Sequence, residues 1–260
     1  MRISFIVGGL VVAVIVILAI SFWPEASLPP VTQEPEPVPP VPAAPAQEPS
    51  GQEEVPVIEI PQPVQIAEPE IELPALAASD QFVREHTAQW ELPLSWMQRD
   101  DLIARVAVIL QNAAIGAVPQ RQIAFAVPPE PYPVIKLGEG FLVDPQGYRR
   151  YDGYLDMLEQ IPPSQAADFL RLVEPLLVHA LAQLGERESP RDFAMAAIQR
   201  IENLPPLPDQ IELIRPNVVY IYADPLLENL PAFDKQVLRL GPDNISRLNS
   251  YLTEFKEYYL

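Results

Sequence analysis

Tyr148-Arg-Arg-Tyr-Asp-Gly-Tyr154 is the densest run of chemistry-bearing side chains in this 260-residue chain. Arg149 and Arg150, flanked by Tyr148 and Tyr151, could hold a carboxylate, a phosphate or a sugar by charge and stacking. Asp152 adds an acceptor. At helical spacing the same tyrosines also suit the edge of a core, with both arginines in solvent or in internal pairs. A second candidate is Arg215-Pro216-Asn217 beside Tyr220 and Tyr222, read as a hairpin tip with two tyrosines on one strand face. The plainer reading is an ordinary turn. A third is Arg239 with Gly241-Pro-Asp-Asn244, which also reads as the turn and N-cap of the last helix. The candidate ligand-binding set is therefore Arg149, Arg150, Tyr151, Asp152, Arg215, Asn217 and Tyr220.

Other chemistries find little support. The chain has no cysteine, so thiol chemistry and thiolate-bound zinc are excluded. Its two histidines, His86 and His179, lie far apart on apolar helical stripes, so no metal site and no cofactor is expected. No His-Glu-x-x-His, nucleophile elbow, phosphate loop or Gly-rich dinucleotide turn occurs. Paired carboxylates, for instance Asp152 and Glu139, could act on envelope carbohydrate if a cleft held them about 5–10 Å apart. That is the alternative to a binding role. A net charge of −18 and a pI near 4.4 argue against nucleic acid or an anionic lipid surface as partner.

The elements that must carry these residues are mostly helical. Ser79 and Asp80 start a helix that runs to about Trp90. Asp100-Asp101 opens a second, with Leu102, Ile103, Val106, Ile109, Leu110 and Ala113 on one face and Gly116 at its end. The acidic pair sits at the positive end of that helix dipole. Val134–Leu137 and Phe141–Val143 flank Gly138-Glu-Gly140, a hairpin pattern. Asp144-Pro145 starts a helix in which Tyr148, Tyr151, Leu155 and Leu158 share a face. The longest apolar stripe runs from Phe169 to Leu184, with Pro175 expected to kink it and Gly185 to cap it. Ser189-Pro190 opens the next helix. Ile211–Ile214 and Val218–Tyr222 read as two short strands. Two short helical pieces and a last helix from about Ile245 complete a mostly α fold with small antiparallel β hairpins, an α+β domain.

Two segments precede that domain. From Ile3 to Trp23 no residue is charged, which suffices to cross a hydrocarbon core of about 30 Å. Phe22 and Trp23 suit the headgroup belt, and Pro24 ends the helix. Ser21-Phe-Trp-Pro-Glu25 lacks the small-residue pattern of a cleaved signal peptide. Arg2 is the only basic residue before Arg84, so the N-terminus is expected in the cytoplasm and the remainder outside. Residues 24–77 form a Pro/Glu-rich linker. Between Pro24 and Pro74 lie ten glutamates and fifteen of the 33 prolines, with no Lys, Arg or His. Such a segment builds neither helix nor ladder, and reads as a disordered spacer reaching about 40 Å as a coil or about 150 Å fully extended. Within it, Val55-Pro-Val-Ile-Glu-Ile60 could add a strand to a partner's sheet. The expected divisions are 1–23, 24–77 and 78–260.

Several motifs carry a family resemblance. Ala78-Ser-Asp-Gln-Phe-Val-Arg-Glu85, Asp100-Asp-Leu-Ile-Ala-Arg105 with Asn112 and Pro119, and Tyr148-Arg-Arg-Tyr-Asp152 are three. Arg215-Pro-Asn-Val-Val-Tyr220, Ala223-Asp-Pro225, Lys235-Gln236 and Leu240-Gly-Pro-Asp-Asn244 extend them. Together they resemble the bacterial domain-of-unknown-function family 3014, over nearly all of residues 78–260. The resemblance implies a Gram-negative, single-pass inner-membrane protein with a proline-rich spacer, and no assigned activity. Ala117 and Asn217 stand where that family often has a base, and Gly153 where proline is usual. The function expected is a membrane-anchored periplasmic binding or scaffolding protein, with envelope proteins or the cell wall as partners.

Overall fold

The computed structural model describes residues 72–123 and 132–260. The apolar run at 3–23 and the strand candidate at 55–60 lie outside the described residues. No helix among the described residues is long and apolar enough to cross a membrane.

Seven α-helices of seven residues or more are described: α1 Ser79–Thr87, α2 Leu102–Ile115, α3 Asp152–Glu159, α4 Pro163–Gln183, α5 Pro190–Glu202, α6 Ala232–Leu238 and α7 Gly241–Tyr259. The apolar stripe of α4 buries Phe169, Leu170, Val173, Leu177 and Leu181 against α7 and α2. α2 packs on α5 as well. Phe255 and Tyr259 on α7, and Ile103 and Ile109 on α2, complete this core with at most 2% exposure each. Truncating any of these to alanine removes contacts worth about 2–5 kcal/mol. α4 is continuous through Pro175, whose ring faces solvent.

Four strands, β1 Val134–Leu137, β2 Gly140–Val143, β3 Glu212–Ile214 and β4 Ile221–Tyr222, form one antiparallel sheet in the order β1-β2-β3-β4. The two hairpins expected from the sequence are thus halves of a single sheet, joined where Phe141 opposes Leu213. Ile211, Leu213, Tyr222, Leu227 and Leu238 make a second, smaller core on one face of it.

Helix starts follow local chemistry, with one exception. Ser189 and Asp192 form a reciprocal capping box at α5, with Pro190 at the first position. The start of α2 differs from the expectation for Asp100-Asp101. Asp101 is the N-cap but lies at φ 59 and makes no side-chain cap. The cap comes instead from Asp80 on α1, whose carboxylate oxygens accept the Asp101 and Leu102 N–H groups at 2.8 Å each. Arg84, one turn on from Asp80, donates to the carbonyls of Met97 (2.6 Å) and Arg99 (2.9 Å). The loop before α2 is therefore clamped by α1.

Gly116 ends α2 at φ +80, where a Cβ would fall 2.5 Å from Arg200 Nη2. Arg200 in turn donates to both oxygens of the nearly buried Asp234, at 2.9 and 3.0 Å. The backbone N–H of Phe233 reaches the Gly116 carbonyl at 3.0 Å. This ties α2, α5 and α6 together.

Candidate functional site

The stretch after β2 decides the site. Asp144 accepts from the Gln146 N–H, and Gly147 donates to the Asp144 carbonyl at 2.8 Å, so the chain tightens into a 3-10 helix over Pro145–Tyr151. The α-helix starts only at Asp152. The sequence pattern suggested an α-helix throughout. With three residues per turn, positions 148 and 151 share one face, 149 and 152 another, and 150 a third. That arithmetic separates the cluster seen in the sequence.

Arg149 and Asp152 face a groove of about 660 Å³. Its first wall is the 3-10 helix, with Gln146 and Tyr148 beside them. Its second wall is the loop Leu207-Pro208-Asp209. Its third is the junction of α6 and α7, with Leu240, Pro242, Asp243 and Asn244. The first and third walls are fixed to one another by buried Asn244. Its Nδ2 donates to Asp152 Oδ1 at 2.9 Å, to the Leu240 carbonyl at 3.2 Å and to the Tyr148 carbonyl at 3.3 Å. Arg247, one turn on, donates to Asn244 Oδ1 at 3.3 Å and to Asp156 and Glu159 at 2.6–2.8 Å. The Arg247 hydrogen bonds hold the Glu159 carboxyl below its ordinary value, and Glu159 and Asp156 hold the Arg247 guanidinium above its own.

Tyr148 lies flat on Gly241, at φ +80, where a Cβ would sit 2.3 Å from the ring's Cγ. Only glycine allows that approach. Burial, with Tyr222 nearby, pushes the Tyr148 phenol up to about 12. Behind it, burial also raises Tyr132, Tyr151 and Tyr222.

The remaining sequence candidates fall elsewhere. Arg150 turns away from the groove, its guanidinium 5.8 Å from the ring centres of both Tyr132 and Tyr151. Tyr151 is a core residue at 3% exposure. Arg215 curls onto its own hairpin, donating to the Val218 carbonyl at 3.2 Å and lying 5.2 Å over Tyr220. Tyr220 packs edge-on against Phe141 at 4.8 Å, and Asn217 is exposed at the turn. Of the three arginines, Arg149 lines the groove and Arg150 and Arg215 do not. Glu139 occupies the exposed β1–β2 turn and does not line it either. Asp209 was not singled out in the sequence, where only the neighbouring prolines mark its loop. Asp243 and Asn244 read from the sequence as a turn and cap. Among the described residues no group of three or more His, Cys, Asp or Glu is placed to hold a metal ion.

The groove brings Tyr148–Asp152 against Leu240–Asn244, two of the segments that carried the resemblance. The family model described as Protein of unknown function (DUF3014) matches residues 102–256. The chain belongs to the DUF3014 family. The match takes in every wall of the groove, so the site is part of the DUF3014 domain and not an addition to it. No curated protein and no solved structure matches the chain.

Proposed function

We propose that this DUF3014 protein is a membrane-anchored, periplasmic binding or scaffolding module of the bacterial cell envelope, and that the groove is its ligand site. The apolar run at 3–23 supplies the anchor, and the Pro/Glu-rich spacer gives the domain reach across the envelope. The observation that carries the binding role is the groove's lining. It joins charges of both signs to rigid aliphatic walls, which is the make-up of a recognition site. Its hydroxyl-bearing residue is Tyr148, whose phenol stays protonated far above neutral pH and is a poor nucleophile there.

The test places a photo-crosslinking residue at Gln146, in the groove, and at exposed Glu85, outside its lining, in the full chain in native membranes. An envelope component captured from position 146 and not from 85 is the expected result. Equal capture at both positions, or none at 146, removes the site. A reporter fused after Leu260 that proves cytoplasmic removes the anchoring.

One observation favours a second reading, a carbohydrate-active enzyme. Asp152, Asp209 and Asp243 share the groove. Asp209 or Asp243 then takes the part first given to Glu139, as Asp152's partner in acid–base catalysis. Asp152→Asn would abolish turnover while leaving capture at 146 intact.

A further inference from the structure

The charges in the groove narrow its ligand. Arg149 contributes one positive charge against three carboxylates, Asp152, Asp209 and Asp243. A simple anion, the ligand suggested by an arginine between tyrosines, meets net repulsion there. A simple polycation meets Arg149.

Three of these four charges are also uncommitted. Several arginines elsewhere are paired with nearby acids, Arg171 with Asp168, Arg191 with Glu174, Arg200 with Asp234 and Arg247 with Glu159, while Arg105 and Arg215 bond backbone carbonyls. In the groove, Asp152 is held by Asn244, but the side chains of Arg149, Asp209 and Asp243 make no hydrogen bond or ion pair among the described residues. They stand on three different walls, so each sign is displayed separately to whatever enters. Between them are aliphatic surfaces, Leu207 with three prolines. The prolines have no N–H to offer, so pairing with the groove's backbone is poorly served and side chains must carry recognition.

We propose, on the reading of the groove as a ligand site, that its ligand is a zwitterionic short peptide. A free carboxylate meets Arg149, ammonium groups meet Asp209 and Asp243, and an aliphatic body lies along the prolines and Leu207. This is the chemistry of a cell-wall stem peptide with a free diamino-acid side chain.

Calorimetry on the full chain in detergent tests it, with the tripeptide Ala-Lys-Ala, its C-terminal amide, and the analogue with norleucine for lysine. Amidation and Arg149→Gln are each expected to weaken binding about two- to five-fold and to show little further loss when combined. The norleucine analogue is expected to lose a similar factor, and Asp209→Asn with Asp243→Asn to erase the difference between it and the lysine peptide. All three side chains are exposed, and an unchanged melting temperature checks that each variant is folded. Equal affinity for all three peptides, no measurable affinity for any of them, or displacement by inorganic phosphate that Arg149→Gln abolishes, overturns the zwitterion assignment. If position 146 still captures an envelope component in that case, the groove stands as a site for another ligand. If capture is lost as well, the binding role falls with it.

Discussion

Gly241→Ala is the sharpest probe of how the groove is built. Two costs add. A non-glycine residue at φ +80 is strained by about 1–2 kcal/mol. The new methyl, 2.3–2.8 Å from three carbons of the Tyr148 ring, forces that ring off its seat, an overpacking cost of about 1–3 kcal/mol. The stiffer unfolded chain returns about 0.4–1 kcal/mol. The net destabilisation is about 1–4 kcal/mol, a fall in melting temperature of roughly 2–16 °C for a domain of this size. The two costs separate in a double-mutant cycle with Tyr148→Ala. Without the ring the steric part vanishes, and Gly241→Ala costs only its backbone strain. The coupling is therefore about 1–3 kcal/mol, read from urea midpoints of the four proteins. Equal cost of Gly241→Ala in both backgrounds would refute the packing argument. Unchanged peptide affinity in Gly241→Ala would refute the claim that Tyr148 shapes the groove.

Three further outcomes follow from the same structure. Asp80→Ala removes the acceptor for two N–H groups at the start of α2 and should cost about 1–2 kcal/mol in chemical denaturation, with Asp80→Asn losing less. Glu159→Gln tests linkage: the folded carboxyl titrates below its ordinary value, so its contribution is present above that value and lost as pH falls through the folded one. Because the pair is largely solvent-exposed, the wild type should exceed the variant by less than about 1 kcal/mol at pH 7, with the gap closing in acid. Arg200→Met leaves Asp234 nearly buried and unpaired and should cost about 2–4 kcal/mol, whereas Arg200→Met with Asp234→Leu should cost less, as measured by urea unfolding.

What could be read from the sequence was what local chemistry controls. The stop at Gly116, the turn at Gly138-Glu139 and the helix start at Ser189-Pro190 each depend on neighbours a few residues apart, and each appears in the structure. The stripe of α4 is legible for the same reason. The union of the two hairpins was not, because Phe141 and Leu213 are 72 positions apart and nothing in either strand specifies the other. Nor was the cap on α2, since Asp80 lies 21 residues before the N–H it serves. For the site, the Tyr148–Asp152 run was visible, but its division was not. A 3-10 turn and an α turn bear the same residue types, and the choice was made by Asp144 and Gly147. Asp209 escaped notice because a single acid in a proline loop looks like any other exposed charge.

The clamp between α1 and the loop before α2 has a mechanical side. Tension entering the fold at Leu73 meets the packing of Leu73 and Leu76 on the main core and then α1, whose Asp80 and Arg84 hold the backbone at residues 97–102 through four hydrogen bonds. The load then passes into α2 along several bonds at once, not one after another as in a peeling strand.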